Sequence, residues 1–335
     1  MKINISSRDL SYDIVYEKGA IGHLQDYLNT DRKALILTDS GVPKAYAESA
    51  ASCFKEAKIV TVPQGEQSKC IDNYLMILRE MLAANFTRSD CVVAVGGGVC
   101  GDLAAFAASC YMRGVAFYHI PTTVLAMVDS SIGGKTAVDF EGVKNVVGSF
   151  YQPSAVIIDT EVLKTLEDRQ VNAGLAEAIK MAATSDAGLF KYIEDCDDYM
   201  ADLEEIIKRA NVIKKAVVEE DPQEKGLRKV LNFGHTVGHA IESAAEGRLL
   251  HGECVAIGMM LMASEEIKPK LEKVLKKYHL PTECEFDTEE LTDIMKHDKK
   301  ANSAGVSTVW VNTIGSFEFK NMTWEELSKI NKIRG

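Results

Sequence analysis

The sequence predicts a chain in two parts, an α/β first domain built on a parallel sheet and a mostly α-helical second domain, divided as 1–166 and 167–335. Three observations carry this. As far as about residue 160, short apolar runs of strand type alternate with helical runs, the pattern of parallel strands joined by crossover helices. From about Glu167 onward the strand signals thin out and helical periodicity takes over. At 335 residues the chain is also long enough for two domains.

In order, residues 2–5 and 12–15 alternate as strands do, and 21–28 reads as helix. Residues 34–39 form a short buried-strand run, after which Pro43 occupies an accepted first-turn position for the next helix. Residues 58–62 read as strand, 68–84 as helix, 91–95 as strand with a helix from near Asp102, and 155–158 as the last strand. In the second part the helical readings are 172–183, 202–219, 228–246, 251–267, 270–278 and 288–297. Residues 306–311 and 317–319 make a small hairpin, and 324–330 a closing helix.

The net charge of −11 argues against nucleic acid and anionic membrane surfaces as partners, while leaving room for a locally basic pocket. Eight scattered cysteines without a C-x-x-C pair, several in apolar runs, read as reduced thiols, so a cytoplasmic protein is expected. No signal peptide opens the chain, and its most apolar stretch, 254–263, is too short to span a bilayer.

Three stretches carry chemistry. Gly96-Gly-Gly-Val-Cys-Gly-Asp102 satisfies G-x-G-x-x-G between a strand and a helix, where free backbone N–H groups and the helix dipole cradle a diphosphate. The acidic residue that a standard dinucleotide site places about twenty positions on is absent, and Pro121-Thr-Thr123 stands there, so the expectation is a Rossmann-like dinucleotide site of non-standard form. Val128-Asp-Ser-Ser-Ile-Gly-Gly-Lys-Thr136 nearly matches a P-loop, but Asp129 at the first glycine position would repel phosphate, so a nucleotide triphosphatase is rejected. Lys144-Asn145 reads as part of a second Gly-bounded turn.

The third stretch is Leu231-Asn-Phe-Gly-His-Thr-Val-Gly-His-Ala-Ile-Glu242. Read as one helix from Arg228, it sets Arg228, Asn232, His235 and His239 on a single face. Two imidazoles four apart can share a metal ion, with a third ligand from His251 or from a carboxylate elsewhere. Hydrogen-bonded core or surface histidines are the plainer alternative. Gly234 and Gly238 argue against it, because each costs a helix about 1 kcal/mol and so answers to a close approach by a ligand or another backbone. Upstream, Glu177 and Lys180 stand one turn apart among small residues, which points to a buried pair. With the metal candidates in the second domain and the glycine loop in the first, the active site is expected in the cleft between them.

Together these motifs resemble the 3-dehydroquinate synthase family of sugar phosphate cyclases over nearly the whole chain. The resemblance is carried as well by Pro63-Gln-Gly-Glu-Gln-Ser-Lys69, Arg113-Gly114, Gly174-Leu-Ala-Glu-Ala-Ile-Lys180, His251-Gly-Glu253 and Asp298-Lys-Lys300. It implies one divalent metal ion, zinc or alternatively cobalt, on Glu177, His235 and His251, with His239 kept for acid–base work or phosphate contact. It implies NAD on Asp39, Glu66, Lys69, Gly97, Gly98, Asp102, Thr122, Thr123, Lys144 and Thr165. It implies substrate contacts from Arg113, Asp129, Lys135, Asn145, Lys180, Lys214, Arg228, Asn232 and one of Lys299 and Lys300, and a proton-accepting role for Glu224. Asp139 departs from the asparagine common in the family, and Gln170 from an acidic residue.

The activity so implied converts 3-deoxy-D-arabino-heptulosonate 7-phosphate to 3-dehydroquinate and phosphate. It runs through transient oxidation by NAD, phosphate elimination, re-reduction, ring opening and an internal aldol closure. The partner is then a small anionic sugar phosphate, and a homodimer is expected. The rivals are an inosose or valiolone synthase, a metal-dependent alcohol dehydrogenase of similar shape, and a non-catalytic metal- or nucleotide-binding module.

Overall fold

The structure is a computed structural model that describes residues 1–7, 10–286, 288–296 and 305–331. It divides into two compact units, Met1–Glu167 and Asp168–Gly335, one residue beyond the boundary drawn from the sequence.

The first unit contains strands β1 (Lys2–Ser7), β2 (Leu10–Tyr16), β3 (Lys33–Asp39), β4 (Glu56–Val62), β5 (Cys91–Gly96), β6 (Ala116–Pro121), β7 (Lys135–Phe140), β8 (Val143–Phe150) and β9 (Ala155–Ile158). Its α-helices are α1 (Lys44–Ser52), α2 (Ile71–Ala83) and α3 (Gly98–Cys110). Seven strands form one sheet in the order β1-β2-β9-β6-β5-β3-β4, parallel throughout except for β1 at the edge. Every residue of β5 is buried, as expected of a parallel strand covered on both faces. Leu35, Leu37, Val92 and Phe117 of the sheet pack with Ile77 and Met81 of α2 and with Leu103 and Phe106 of α3. Because the strands run the same way, the loops after β3, β4, β5, β6 and β9 all leave from one edge. In such sheets that edge binds ligands.

Two local readings are corrected here. Residues 21–28 are not one helix but two short 3₁₀ turns, Ala20–Gly22 and Leu24–Asp26. The buried carboxylate of Asp159 captures the amides of Gly19 and Ile21 at 2.9 and 3.3 Å, a long-range tie that helical periodicity cannot register. Lys144 and Asn145 do not lie in a turn. They belong to β8, whose hairpin with β7 turns at Glu141-Gly142, both in the left-handed region (φ 49° and 77°). Asn145 itself takes φ 53° and donates its amide to Asp139 at 2.7 Å, opposite the register shift between Val138 and Phe140.

The second unit contains α4 (Asp168–Ser185), α5 (Ala187–Asp195), α6 (Tyr199–Glu220), α7 (His235–Ala245), α8 (His251–Leu261), α9 (Lys268–Lys277), α10 (Thr288–Lys296) and α11 (Trp324–Asn331), with the antiparallel hairpin β10 (Gly305–Trp310) and β11 (Glu318–Thr323). α5 has no counterpart in the sequence reading. α4 is its central rod: every residue from Val171 to Thr184 is buried, and it packs against α5, α6 and α8.

The single helix expected over 228–246 is replaced by a 3₁₀ segment, Leu227–Asn232, and by α7, separated at Phe233-Gly234. Gly234 is left-handed (φ 76°), and a methyl group on it would meet the Val255 carbonyl of α8 at 2.7 Å. From the other side, a methyl on Gly258 would stand 1.9 Å from the Gly234 carbonyl, and one on Gly238 3.0 Å from the Cys254 carbonyl. Close approach by another backbone is thus what these glycines permit, and α8 is that backbone.

Candidate active site

In the second unit, α4 contributes Glu177, α7 contributes His235 and His239, and α8 contributes His251 at its first position. The ligand nitrogens of the three histidines lie within 4.8 Å of one another. Glu177 is fully buried, and its Oε1 lies 3.6 Å from His235 Nε2 and 3.7 Å from His251 Nε2. Ligand atoms about 2.1 Å from a shared tetrahedral zinc ion stand about 3.4 Å apart, so one carboxylate oxygen and two imidazole nitrogens at this spacing suit a common ion.

The far side of each group is tied down. Glu177 Oε2 accepts from the Lys180 ammonium, so the pair is buried, as the small residues around it foretold. His235 Nδ1 lies 3.2 Å from the Phe233 carbonyl, which can only accept, so Nδ1 carries the proton and Nε2 presents its lone pair. His251 Nδ1 lies 2.9 Å from Glu242 Oε2, which holds a proton on Nδ1 and leaves Nε2 facing Glu177.

Burial, with the charges of Lys180, His239 and His251 added, holds His235 well below the ordinary histidine range and keeps it neutral. At His251 burial pulls the same way, but the carboxylates of Glu177 and Glu242 outweigh it and raise its pKa to about 10.

The same unit carries buried cations. Lys180 is 1% exposed, Lys214 of α6 3% and Arg228 2%. The elements that carry them pack on one another: α4 on α6, and the 3₁₀ segment on both. Arg228 donates to the Pro222 carbonyl at 2.7 Å, and Asn232 Nδ2 to Glu224 Oε1 at 2.7 Å, with Glu224 in the left-handed region (φ 58°). Asp221 collects the amides of Lys225, Gly226 and Arg228 and so folds the loop between α6 and this segment.

In the first unit, Asp39 ends β3, Gly97, Gly98, Thr122 and Thr123 follow the ends of β5 and β6, and Glu66 and Lys69 follow β4. No side chain caps α3 at Gly97, which leaves its first N–H groups for an anion. The backbone there is closely overlaid: a methyl on Gly97 would lie 3.2 Å from Thr123, and one on Gly98 3.1 Å from Ser130. Buried Lys69 bridges Glu66 Oε1 at 2.9 Å and Asp102 Oδ2 at 3.2 Å. Burial raises Asp102 to about 6, against the pull of Lys69 and with help from Glu66 and Asp129. These residues form a cradle at the strand ends.

A family model described as 3-dehydroquinate synthase N-terminal matches residues 59–173, and one described as 3-dehydroquinate synthase C-terminal matches 174–301. A 3-dehydroquinate synthase of Enterococcus faecalis is 40% identical over 349 residues, covering 98% of this chain and 97% of that protein.

The chain belongs to the 3-dehydroquinate synthase family.

Two solved structures are similar to this family member along nearly their whole length. A 2-deoxy-scyllo-inosose synthase complexed with carbaglucose-6-phosphate, NAD+ and Co2+ superposes with a TM-score of 0.92 at 26% identity, covering 99% of this chain and 100% of that one. A 2-epi-5-epi-valiolone synthase from Streptomyces hygroscopicus with NAD+ and Zn2+ bound gives 0.87 at 28%, covering 97% of both chains.

The remaining residues implied by the 3-dehydroquinate synthase resemblance fall in several places. Thr165 meets Tyr46 Oη at 3.0 Å beyond the end of β9. Asp129 ends in a π-helical turn, Ala126–Ser130, while Lys135 opens β7 and is exposed, as are Lys144 and Asn145. Arg113 lies past the C-terminal end of α3, about 20 Å along that helix from Gly97, and is not gathered with the cradle. Lys299 and Lys300 lie outside the described residues. One residue of the site was given no role in the sequence reading: Glu242, which closes the third stretch. The one local hint is that it stands seven positions after His235 and three after His239 on the face of the metal candidates.

Proposed function

We propose that this chain is a 3-dehydroquinate synthase, converting 3-deoxy-D-arabino-heptulosonate 7-phosphate to 3-dehydroquinate and phosphate. The observation that carries this is the set of three buried cations, Lys180, Lys214 and Arg228, on elements packed around the Glu177–His235–His251 cluster. Lys180 meets Glu177 and Arg228 donates to the Pro222 carbonyl, and together the three cations make a basic interior that suits a substrate bearing a carboxylate and a phosphate.

Glu177, His235 and His251 hold one divalent ion, zinc or cobalt, and the cradle with Asp39, Glu66, Lys69, Gly97, Gly98, Asp102, Thr122, Thr123, Lys144 and Thr165 holds NAD. When bound, these groups supply a hydride acceptor that later returns the hydride and a Lewis acid for the oxygen being oxidised. The rest is done by the chain. Lys214, Arg228 and Asn232 orient the carboxylate end of the substrate, and Arg228 brings the planar donor fork suited to it. Asp129, Lys135, Asn145, Arg113 and one of Lys299 and Lys300 are added as substrate contacts on the resemblance alone. A ketone acidifies the neighbouring C–H. A base then takes that proton while the C–O electron pair leaves with phosphate. His239, the exposed member of the histidine trio, is placed to move protons, and Glu224, fixed by Asn232, to accept one.

The same reading makes the protein a cytoplasmic homodimer. Eight free cysteines support a reducing compartment. Exposed Phe140, Val143, Val146 and Phe150 on the β7–β8 hairpin support a second copy of the chain as their cover.

The test is release of inorganic phosphate from the keto-acid sugar phosphate, dependent on NAD and on added Zn²⁺ or Co²⁺, with a carbocyclic product. Equal turnover of a sugar phosphate lacking the carboxylate would move the assignment to an inosose or valiolone type of synthase.

A further inference from the structure

We infer that Glu242 is a positioning residue for the metal site, acting through His251. The inference rests on the metal set Glu177–His235–His251 proposed above.

His251 opens α8 with 28% of its side chain exposed, so packing alone does not fix its ring. Its two nitrogens are equivalent donors to a metal until something distinguishes them. Glu242, near the end of α7, does so by accepting from Nδ1 at 2.9 Å, which fixes the proton there and turns Nε2 toward Glu177 Oε1 at 3.7 Å. His235 receives the same service from a main-chain carbonyl, that of Phe233, which no substitution can remove. Glu242 is therefore the side chain that orients a ligand and can be varied without touching one. Its negative charge also raises the basicity of the ligating nitrogen. α7 and α8 hold this geometry, because they pack together along the Gly238–Cys254 and Gly234–Gly258 approaches. At the start of α8, Glu253 bonds the Leu250 amide at 2.8 Å and clasps Arg169 of α4, which keeps the backbone of His251 in place.

The experiment measures zinc affinity of the full chain by competition with a chromophoric chelator, for the wild type, Glu242→Gln and Glu242→Ala. NAD affinity and the melting temperature of the metal-free chain are measured beside it. Glu242→Ala should bind zinc about 10- to 100-fold more weakly. Glu242→Gln keeps an acceptor and loses the charge, so it should fall between the two. NAD affinity should not move. Wild-type zinc affinity in Glu242→Ala overturns the inference, and if that variant does not fold, unchanged affinity in Glu242→Gln does so. A wild-type chain that binds no zinc overturns the metal assignment instead, so the two failures are distinguishable.

Discussion

At the scale of single residues, His235 and His239 share a helix turn and a residue type, and the function proposed gives them different roles. His235 is pinned by a carbonyl and faces Glu177, while His239 is exposed beside it, their rings 5.1 Å apart. His235→Ala should lose zinc affinity by about 100-fold or more, beyond what loss of an outer partner costs. His239→Ala should retain the metal and lose turnover. Equal metal loss in both, read by atomic absorption after dialysis, would return both helix histidines to the ion. A second prediction concerns His119 of β6, which the proposed chemistry leaves unused. Burial holds its pKa at about 3, below the ordinary 6.5. Between those values the unfolded chain binds a proton that the folded chain refuses. Stability from this residue is therefore undiminished above pH 6.5 and falls by up to about 1.4 kcal/mol per pH unit below it. Urea midpoints of His119→Gln should decline less steeply from pH 6.5 to 4.5 than those of the wild type. The ligand set came from the family resemblance, since spacing alone put both helix histidines on one ion, while the His235–His239 pair and the buried Glu177–Lys180 pair were legible from spacing and local motif. Glu242 was not, because a glutamate on an amphipathic helix is ordinarily a solvated one. Its meaning depends on His251, nine positions away and on another helix.

Among elements, the crossing of α7 on α8 is the most demanding contact. A Gly258→Ala methyl would stand 1.9 Å from the Gly234 carbonyl, a main-chain atom that cannot swing aside. The cost should be about 3 kcal/mol or more, and the melting temperature should fall by on the order of 10 °C. A melting temperature within 2 °C of the wild type would mean that the helices part without loss. Zinc affinity should fall with it, since both histidine-bearing helices move. The sequence made α7 and α8 visible as helical runs and singled out Gly234 and Gly238. It joined the 3₁₀ segment to α7, since periodicity counts residues and does not see a left-handed turn between them. It also passed over the β7–β8 hairpin, where the strand residues Lys144 and Asn145 were absorbed into a glycine-bounded turn. α5 went unread because its nine residues give too short a periodic run to stand out.

For the molecule as a whole, the alternation of strand and helix in the first half announced a parallel sheet, and the loss of that alternation announced a helical second half. The order of the strands was not legible, because it depends on which crossover skips which neighbour. Nor was the antiparallel pairing of β1 at the edge, although residues 2–5 read as strand. The function proposed makes NAD a returning participant. With substrate in large excess over NAD, phosphate release should pass many equivalents per NAD, while absorbance at the NADH band stays near the enzyme concentration. One NADH per phosphate would instead describe an alcohol dehydrogenase.

The left-handed step at Gly234 has a historical consequence. Arg228 and Asn232 lie before it, and His235 and His239 after it, so on the function proposed the segment assigned to the substrate's acid group is uncoupled from the helix assigned to the ion. Had one continuous helix carried all four, any drift in the first pair would have rotated the second. On that same reading, a lineage could alter the six residues from Leu227 to Asn232 without turning the helix that bears the histidines.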